Sequence, residues 1–423
     1  MVYATAEDRK HTWVARVTQL LLFINTFVVE STFRVRAYED KSLDLQVMIK
    51  LGVWAVTFLF CVALFRLWGQ RMLRVDNFFQ VLLLLLIFLS CFYAVNVVFS
   101  LACAFSLIAV FSLLFLASAV LTNREIIAPI IWGGTLVSVI SLVIYFLVPD
   151  FGRMKEWVGG ELVPGNRLAG ITGTANVIGY ISAFSCMALY YYRRYLPQKI
   201  SLSFWFLVAV NVLALVMSNS RTSMMALAGS IIIAGIFRAS PAKLAGLFIF
   251  VCTAIIFVLA VDLNIIFAML SRSGDTSEIL TATGRFSVWE TALRLIGEKP
   301  LLGWGYGSMN FVLPAQKSEV GFAAAHAHNA FLQVFLSIGL VGLCCFLLVM
   351  ALKIYFSVKS RDQMNIAAIF FLLIDGLTEV IAFQGAATTT TLILAVVLSL
   401  NYRAVDAADT LPYQQRFPGT AGI

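Results

Sequence analysis

The sequence has few side chains that can ionise and very few that suit acid–base chemistry. Of its 423 residues, 12% are charged and three are histidines, whereas 61% are hydrophobic. The mean hydropathy is +0.92. A chain of this size cannot enclose so much apolar surface in a soluble core, because too little of a folded domain is interior. The composition excludes a soluble globular domain and predicts an integral membrane protein.

The apolar segments lack the alternation of polar and apolar residues that membrane β-strands require. They are continuous runs of about 17–25 residues, long enough to cross a hydrocarbon core of about 30 Å as helices. We predict an all-α membrane protein with about twelve transmembrane helices. The predicted spans lie near residues 12–29, 47–65, 78–96, 100–121, 126–148, 174–192, 201–218, 222–237, 243–262, 329–352, 364–382 and 385–402.

The long polar loops contain no cysteine and no basic stripe with interleaved aromatic residues. All seven cysteines lie in apolar segments, at positions 61, 91, 103, 186, 252, 344 and 345. This distribution predicts no disulfides, and no cysteine spacing indicates a metal site. The net charge of +8 is typical of a membrane protein that fixes its orientation with Lys and Arg, so we expect no nucleic acid among its partners.

No small-residue cleavage site follows the first apolar run, so we expect a start-transfer helix that stays in the mature chain. An even number of spans places both termini on one side, where the connections carry clusters of Lys and Arg. The positive-inside rule makes that side cytoplasmic. We expect nine transmembrane helices in residues 1–262, a large outer loop at 263–328, three more helices in 329–402 and a cytoplasmic tail at 403–423.

The outer loop contains a helical pattern and then a glycine-rich turn. GRFSVWETALRLIGEKP predicts an amphipathic helix on the membrane face or on the helix bundle, ended by its Gly and Pro. Its apolar side is expected to carry Phe286, Trp289, Leu293 and Ile296. In the LLGWGYGS that follows, the glycines either let the backbone approach a ligand closely or simply reverse the chain.

Two of the three histidines, His326 and His328, immediately precede the tenth predicted span. Asn329 is a favoured N-cap residue, so His328 is expected at the positive end of a helix dipole, where a neutral ring can accept a proton as a general base. The alternative is a histidine that forms a hydrogen bond at the membrane interface. We expect no zinc site, because His11 is predicted on the cytoplasmic side and the outer loop has no cysteine to complete a ligand set.

Three arginines are predicted on the outer side, where positive charge is disfavoured: Arg167, Arg221 and Arg285. Converging guanidinium groups bind phosphate bidentately, so together they could hold a diphosphate without a metal ion. The alternative for each is interfacial snorkelling or pairing with one of the outer acids Glu161, Glu278 and Glu290.

Two acids, Asp375 and Glu379, lie four residues apart within the eleventh predicted span. Ionisable groups inside a membrane span are costly and mark candidate functional positions. The pair either serves a proton path or meets a polar partner near the outer end of the bundle.

The order of these motifs resembles the bacterial O-antigen ligase and polysaccharide polymerase superfamily. Arg167 precedes a span, SRT contains Arg221, and GR precedes a Trp at 289 and PLLGWGYG. The sequence HN, nine residues and GLVG then follow at residues 328–342. The resemblance covers roughly residues 160–350, and the last motif carries most of it.

The resemblance implies an integral-membrane glycosyltransferase of the C type in a bacterial inner membrane, with its catalytic cavity facing the periplasm. The implied donor is a glycan on undecaprenyl diphosphate. His328 would be the catalytic base, Arg221 and Arg285 would bind the diphosphate, and Arg167 would be a weaker member of that set. Asn329 and His326 would adjoin the substrate, with no established role for His326. Neither a metal ion nor another cofactor is expected.

The acceptor is either a second lipid-linked glycan, as in a polymerase, or the lipid A core, as in a ligase. GR-x-x-x-W with PLLGWGYG resembles exopolysaccharide polymerases more closely. A lipid-linked oligosaccharide transporter is a weaker alternative, because transporters place polar residues at the bilayer midplane and here they gather at the outer face. A non-catalytic scaffold for an export complex is a further alternative.

Overall fold

The computed structural model describes residues 6–32, 42–158, 161–193, 202–239, 285–320, 324, 326–380 and 383–400. The ninth predicted span, the first part of the outer loop and the C-terminal tail lie outside these residues. The described chain is almost entirely helical, which agrees with the predicted class. Its helices are α1 Ala6–Glu30, α2 Leu45–Ala63, α3 Phe65–Trp68, α4 Val75–Ser90, α5 Val97–Val120, α6 Asn123–Leu147, α7 Pro149–Gly152, α8 Ala175–Tyr192, α9 Leu202–Ser218, α10 Arg221–Ile236, α11 Arg285–Glu298, α12 Met309–Ala315, α13 Lys317–Val320, α14 Ala330–Ser360, α15 Gln363–Gly376 and α16 Thr389–Ser399.

Among the described residues, a helix lies at each predicted span. Five helices are long and apolar enough to cross a membrane: α1 from Thr12, α2, α5, α6 and α14. A pair of segments, Phe65–Leu73 and Asn77–Tyr93, bends by 98° and would make a sixth span if it crosses as one unit. Helices α9, α10, α15 and α16 are apolar but shorter, with 10–17 residues. A multi-pass membrane protein is thus supported, and the number twelve stays a prediction.

Local sequence signals explain several helix starts. Thr122 and Glu125 form a capping box at α6, with Thr122 N donating to the Glu125 carboxylate at 2.9 Å.

Small polar side chains join the helices inside the bundle: Asn211 of α9 donates to Thr135 of α6 at 2.8 Å. Ser138 of α6 lies 3.2 Å from Ser182 of α8, hydroxyl to hydroxyl. Such bonds satisfy polar groups that lipid cannot.

A two-stranded antiparallel hairpin, β1 Arg153–Val158 and β2 Glu161–Leu168, connects α7 to α8. From the sequence, this stretch was expected only as a connection between the predicted spans at 126–148 and 174–192. The hairpin ends at Leu168, so it carries Arg167 to the base of α8.

The turn after α11 docks into a break in α14. Backbone angles inside α14 are non-helical at Ile338 and Gly339, and Gly339 has φ +67° and ψ −168°. Residues 300–305 fill the break: Trp304 N donates to Leu336 O at 2.8 Å and Gly305 N to Ser337 O at 2.9 Å. In return, the amides of residues 340 and 341 donate to the carbonyls of residues 300 and 301 at 2.9 and 3.3 Å.

This docking gives the glycine motifs a structural role. Gly303, Gly305 and Gly307 all have positive φ, as a tight turn requires. The turn therefore reverses the chain and supplies the backbone partners that a broken membrane helix needs. Beyond the break, α14 continues past the predicted end at residue 352 to Ser360. Lys353, the first residue after the predicted end of this span, therefore lies within α14, and its side chain is buried.

The helix predicted in the outer loop is present as α11, and its apolar residues are divided between a face buried against the bundle and an exposed surface. Ile296 is buried with Ala292 and Leu295 against α14, whereas Phe286 and Leu293 are 53% and 59% exposed. The physical reason is that an apolar stripe on a helix at a membrane surface can face lipid as well as protein. Periodicity alone does not choose between the two.

Candidate active site

The candidate residues meet where the N-terminal ends of four helices, α8, α10, α11 and α14, converge on residues 377–379, directly after α15. This segment is the meeting point because each of its residues bonds to a different part of the chain. Asn329 Nδ2 donates to Leu377 O at 2.9 Å, and Thr378 Oγ1 donates to Thr222 Oγ1 at 3.1 Å.

Asn329 caps α14 as predicted. Its side-chain oxygen accepts from the backbone amides of Phe331 and Leu332 at 2.9 and 3.0 Å. His328, the preceding residue, has φ +48° and lies immediately before the N-terminus of the helix. The predicted position of the histidine at a helix N-terminus is therefore confirmed.

The backbone between the two histidines is fixed on both sides. Ala327 N donates to Gln333 Oε1 at 3.1 Å, and the Trp289 indole donates to Ala327 O at 3.0 Å. Residues 326–328 are thus held between helices α14 and α11. The rings of His326 and His328 have centroids 4.3 Å apart.

Glu379 is the centre of the cluster. Its Oε1 accepts from Asn176 Nδ2 at 2.6 Å and from Nη2 of Arg285, while its Oε2 lies 3.7 Å from His328 Nδ1. The last distance is too long for a hydrogen bond, and among the described residues His328 Nδ1 has no partner. The sequence analysis expected this acid either on a proton path or beside a polar partner, and it has three polar neighbours.

The charge state of Glu379 follows from these neighbours. Glu379 lies beyond the end of α15, and its burial alone would raise the pKa of its carboxyl. The His328 ring and the Arg285 guanidinium outweigh burial and lower that pKa. The carboxylate is therefore ionised at neutral pH. Arg285 thus pairs with Glu379, which was not among the acids considered as alternative partners from the sequence.

His326 is the second titratable group of the cluster. Burial, with smaller contributions from His328 and Arg285, lowers the pKa of His326 to about 3, although Glu379 acts in the opposite direction. The ring is therefore neutral at physiological pH, when its nitrogens can ligate a metal. One ligand atom each from His326, His328 and Glu379 lies within 4.8 Å of the others. From the sequence, no third zinc ligand was expected near the two histidines. The fold brings Glu379 close enough to them to be one.

Arg167 is 7% exposed and uses its guanidinium to connect helices. Its Nε donates to Ser218 O at 3.0 Å and its Nη2 to Asn176 Oδ1 at 2.8 Å. Because Asn176 in turn donates to Glu379, the arginine supports the carboxylate through an amide. The sequence analysis did not identify Asn176, which lies in the first turn of α8 after the cap residue Thr174.

Arg221 is the first residue of α10 and is partly buried. Its neighbour Thr222 bonds to Thr378, which places Arg221 beside the same segment. Asp375 is buried, and its side chain accepts from Ser223 Oγ at 3.4 Å. The structure therefore brings Arg285 and the two histidines together around Glu379, and the start of α10, which carries Arg221, bonds to the same segment through Thr222.

Comparison with known proteins relates part of the chain to a described family. A search of curated proteins gave no match, whereas the family model described as O-antigen ligase matches residues 202–347. The matched stretch includes Arg221, Arg285 and His328 but ends before Glu379. The family implies a glycosyl-transferring enzyme that acts on lipid-linked glycans. In residues 202–347, the chain thus has the domain of the O-antigen ligase and polysaccharide polymerase superfamily.

Proposed function

We propose that the protein is a metal-independent glycosyltransferase that works at the periplasmic face of the inner membrane. It moves a glycan from undecaprenyl diphosphate to a sugar hydroxyl on a second lipid-linked glycan, and so polymerises repeat units. The observation that carries the proposal is the position of the Glu379 carboxylate, which faces His328 with one oxygen and Arg285 with the other.

In the proposed reaction the acceptor hydroxyl attacks the anomeric carbon of the donor. The new glycosidic C–O bond forms as the bond from that carbon to the diphosphate oxygen breaks, and the lipid diphosphate leaves with the electron pair. His328 Nε2 takes the hydroxyl proton, while Nδ1–H points to Glu379. The carboxylate then holds the ring in the required tautomer and stabilises the imidazolium, as the acid of a catalytic triad does. The 3.7 Å gap is of the kind that shortens when substrate binds.

The leaving diphosphate needs charge stabilisation, which arginine supplies. The Arg285 contact to Glu379 uses one guanidinium nitrogen, Nη2, so Nε and Nη1 can bind diphosphate oxygens. Arg221 at the start of α10 approaches the same region, and the helix N-terminus adds partial positive charge. Arg167 is already bonded to Ser218 and Asn176, so we assign it a supporting role and not a direct contact with the donor.

The experiment is transfer by the purified protein in detergent, with a labelled lipid-linked repeat unit and no membrane gradient. Long chains on the lipid carrier are the expected product. Transfer only after addition of lipid A core would make the protein a ligase. Absence of transfer with either acceptor would contradict the proposal and favour the transporter or the scaffold.

The role of the carboxylate can be tested by Glu379→Gln, which keeps the shape and removes the charge. We expect kcat to fall by about 10²-fold or more, because the imidazolium loses its partner. Glu319→Gln is the matched control: this acid also pairs with an arginine, Arg294, at 2.8 Å, but at an exposed position in the 263–328 loop. Equal turnover of the two variants would remove Glu379 from the mechanism.

A further inference from the structure

The His326, His328 and Glu379 cluster has the chemistry of a metal site. Two imidazoles and one carboxylate are the ligands of many three-residue zinc sites, with a fourth position left to water. In a tetrahedral zinc site with ligand bonds of about 2.0–2.2 Å, ligand atoms lie about 3.4 Å apart. Here all three donor atoms are within 4.8 Å of one another. Side-chain rotations that move each donor atom by about 1 Å would complete the tetrahedral geometry.

Two further observations favour an ion at this place. His328 Nδ1 is buried and lacks a hydrogen-bond partner among the described residues, so a polar atom aimed at the cluster is unsatisfied. The carboxylate presents Oε2 to it, while Oε1 takes both Asn176 and Arg285. One oxygen therefore serves the protein framework and the other is left for a ligand.

We propose that His326, His328 and Glu379 bind Zn²⁺, and that the bound ion switches off glycosyl transfer. Imidazole ligands select a transition metal over Mg²⁺ and Ca²⁺, which prefer sites made of oxygen ligands. The inhibitory part rests on the proposed function, because it requires His328 to be the base; the binding part does not.

Inhibition follows from the tautomers of His328. As a base, the ring keeps its proton on Nδ1, toward Glu379, and accepts the second proton at Nε2. A zinc ion on Nδ1 displaces that proton and forces the remaining one onto Nε2, where it blocks acceptance of the hydroxyl proton. The ion also takes the carboxylate away from the imidazolium. Catalysis and zinc binding therefore need the same atoms in incompatible states.

The first test measures binding alone. Full-length protein, purified in detergent and freed of metal with chelator, is titrated with Zn²⁺ by calorimetry, and separately with Mg²⁺. We expect one Zn²⁺ per chain, no Mg²⁺ binding at this site, and at least tenfold weaker Zn²⁺ binding for His326→Asn and for Glu379→Gln. His11→Ala controls for the third histidine of the chain and should bind Zn²⁺ as the wild type does.

The second test measures transfer in the wild type and in His326→Asn as a function of Zn²⁺, each relative to its own zinc-free rate. Zinc should inhibit the wild type at the concentrations that saturate binding, chelator should reverse the inhibition, and the midpoint should move at least tenfold in the variant. Binding with no transfer under any condition would sink the proposed function and leave the metal site intact. If the protein transfers glycan but binds no zinc in the titration, or if zinc increases the rate of transfer, the proposed inhibitory site is wrong.

Discussion

Replacing Gly339 by alanine tests whether the break in α14 holds the site together. Helix α11 carries Arg285 and leads into residues 300–305, which dock in the break, while His328 immediately precedes Asn329, the cap residue of α14. The docking therefore fixes the distance between the two halves of the site. A Cβ at position 339 would overlap the carbonyl group of Leu301 and would lie 2.5 Å from Leu302 N. These are backbone atoms, so no side-chain rotation can relieve the overlap.

The cost of Gly339→Ala has two parts. The φ of +67° and ψ of −168° belong to a region that is essentially restricted to glycine, and an alanine there costs about 1–3 kcal/mol. Moving residues 300–303 away breaks at least two of the four backbone hydrogen bonds across the break, at about 0.5–1.5 kcal/mol each. The free energy of unfolding should therefore fall by about 2–6 kcal/mol. A shift of about 1 Å between Arg285 and His328 should also lower transfer by about 10²-fold.

Thermal unfolding in detergent, followed by fluorescence size-exclusion chromatography, measures the first effect, and the transfer assay measures the second. The control is Gly297→Ala in α11, where a Cβ meets nothing within 4 Å. At that position alanine should be neutral or should stabilise the helix by up to about 1 kcal/mol. Equal melting behaviour and equal activity of the two variants would show that the break in α14 does not hold the site.

Three further predictions concern the proposed chemistry. His328→Ala should lower turnover by about 10²–10⁴-fold, and His326→Ala, on the other side of Ala327, is the comparison. Equal, mild effects of the two substitutions at equal protein levels would mean that residues 326–329 form only a cap and an interface feature. Arg221→Lys and Arg285→Lys should raise KM for the donor as well as lower kcat, because an ammonium keeps the charge but loses the bidentate fork; an unchanged donor KM in kinetic assays would argue against diphosphate binding. Transfer should persist in excess chelator, since arginines neutralise the diphosphate, and loss of transfer with rescue by Mg²⁺ would refute metal independence.

The helices and their caps were predictable because both depend on short stretches of chain. Hydropathy marks a span within about 20 residues, and the side chain of Asn329 reaches amides only two and three residues away. The break at Gly339 was not predictable, since its backbone conformation is stabilised by a segment more than thirty residues earlier. Motif order identified the glycines around 303 and 339 but could not show that they pack against each other.

The same distinction applies to the site. His328, Arg221 and Arg285 stand in recognisable motifs, so the sequence could propose them. Glu379 was marked only as an acid in an apolar span, because nothing local links it to Asn176, 203 residues earlier in the chain. Asn176 itself resembles any polar residue in the first turn of a helix. Its role depends on the neighbours that the fold provides.

The segment 377–379 explains why the matched family region alone is an incomplete description of the site. Asn329, Thr222 and Arg285 lie inside residues 202–347, yet each bonds to this segment, which lies outside that stretch. Their mutual positions are therefore set through three consecutive residues that follow α15. Because hydrogen-bonded side chains on several helices share this one support, a displacement of the turn after α15 would move the proposed base, His328, and the proposed diphosphate-binding Arg285 together. In the proposed mechanism, the packing of α15 against α10 therefore helps to set the geometry of the site.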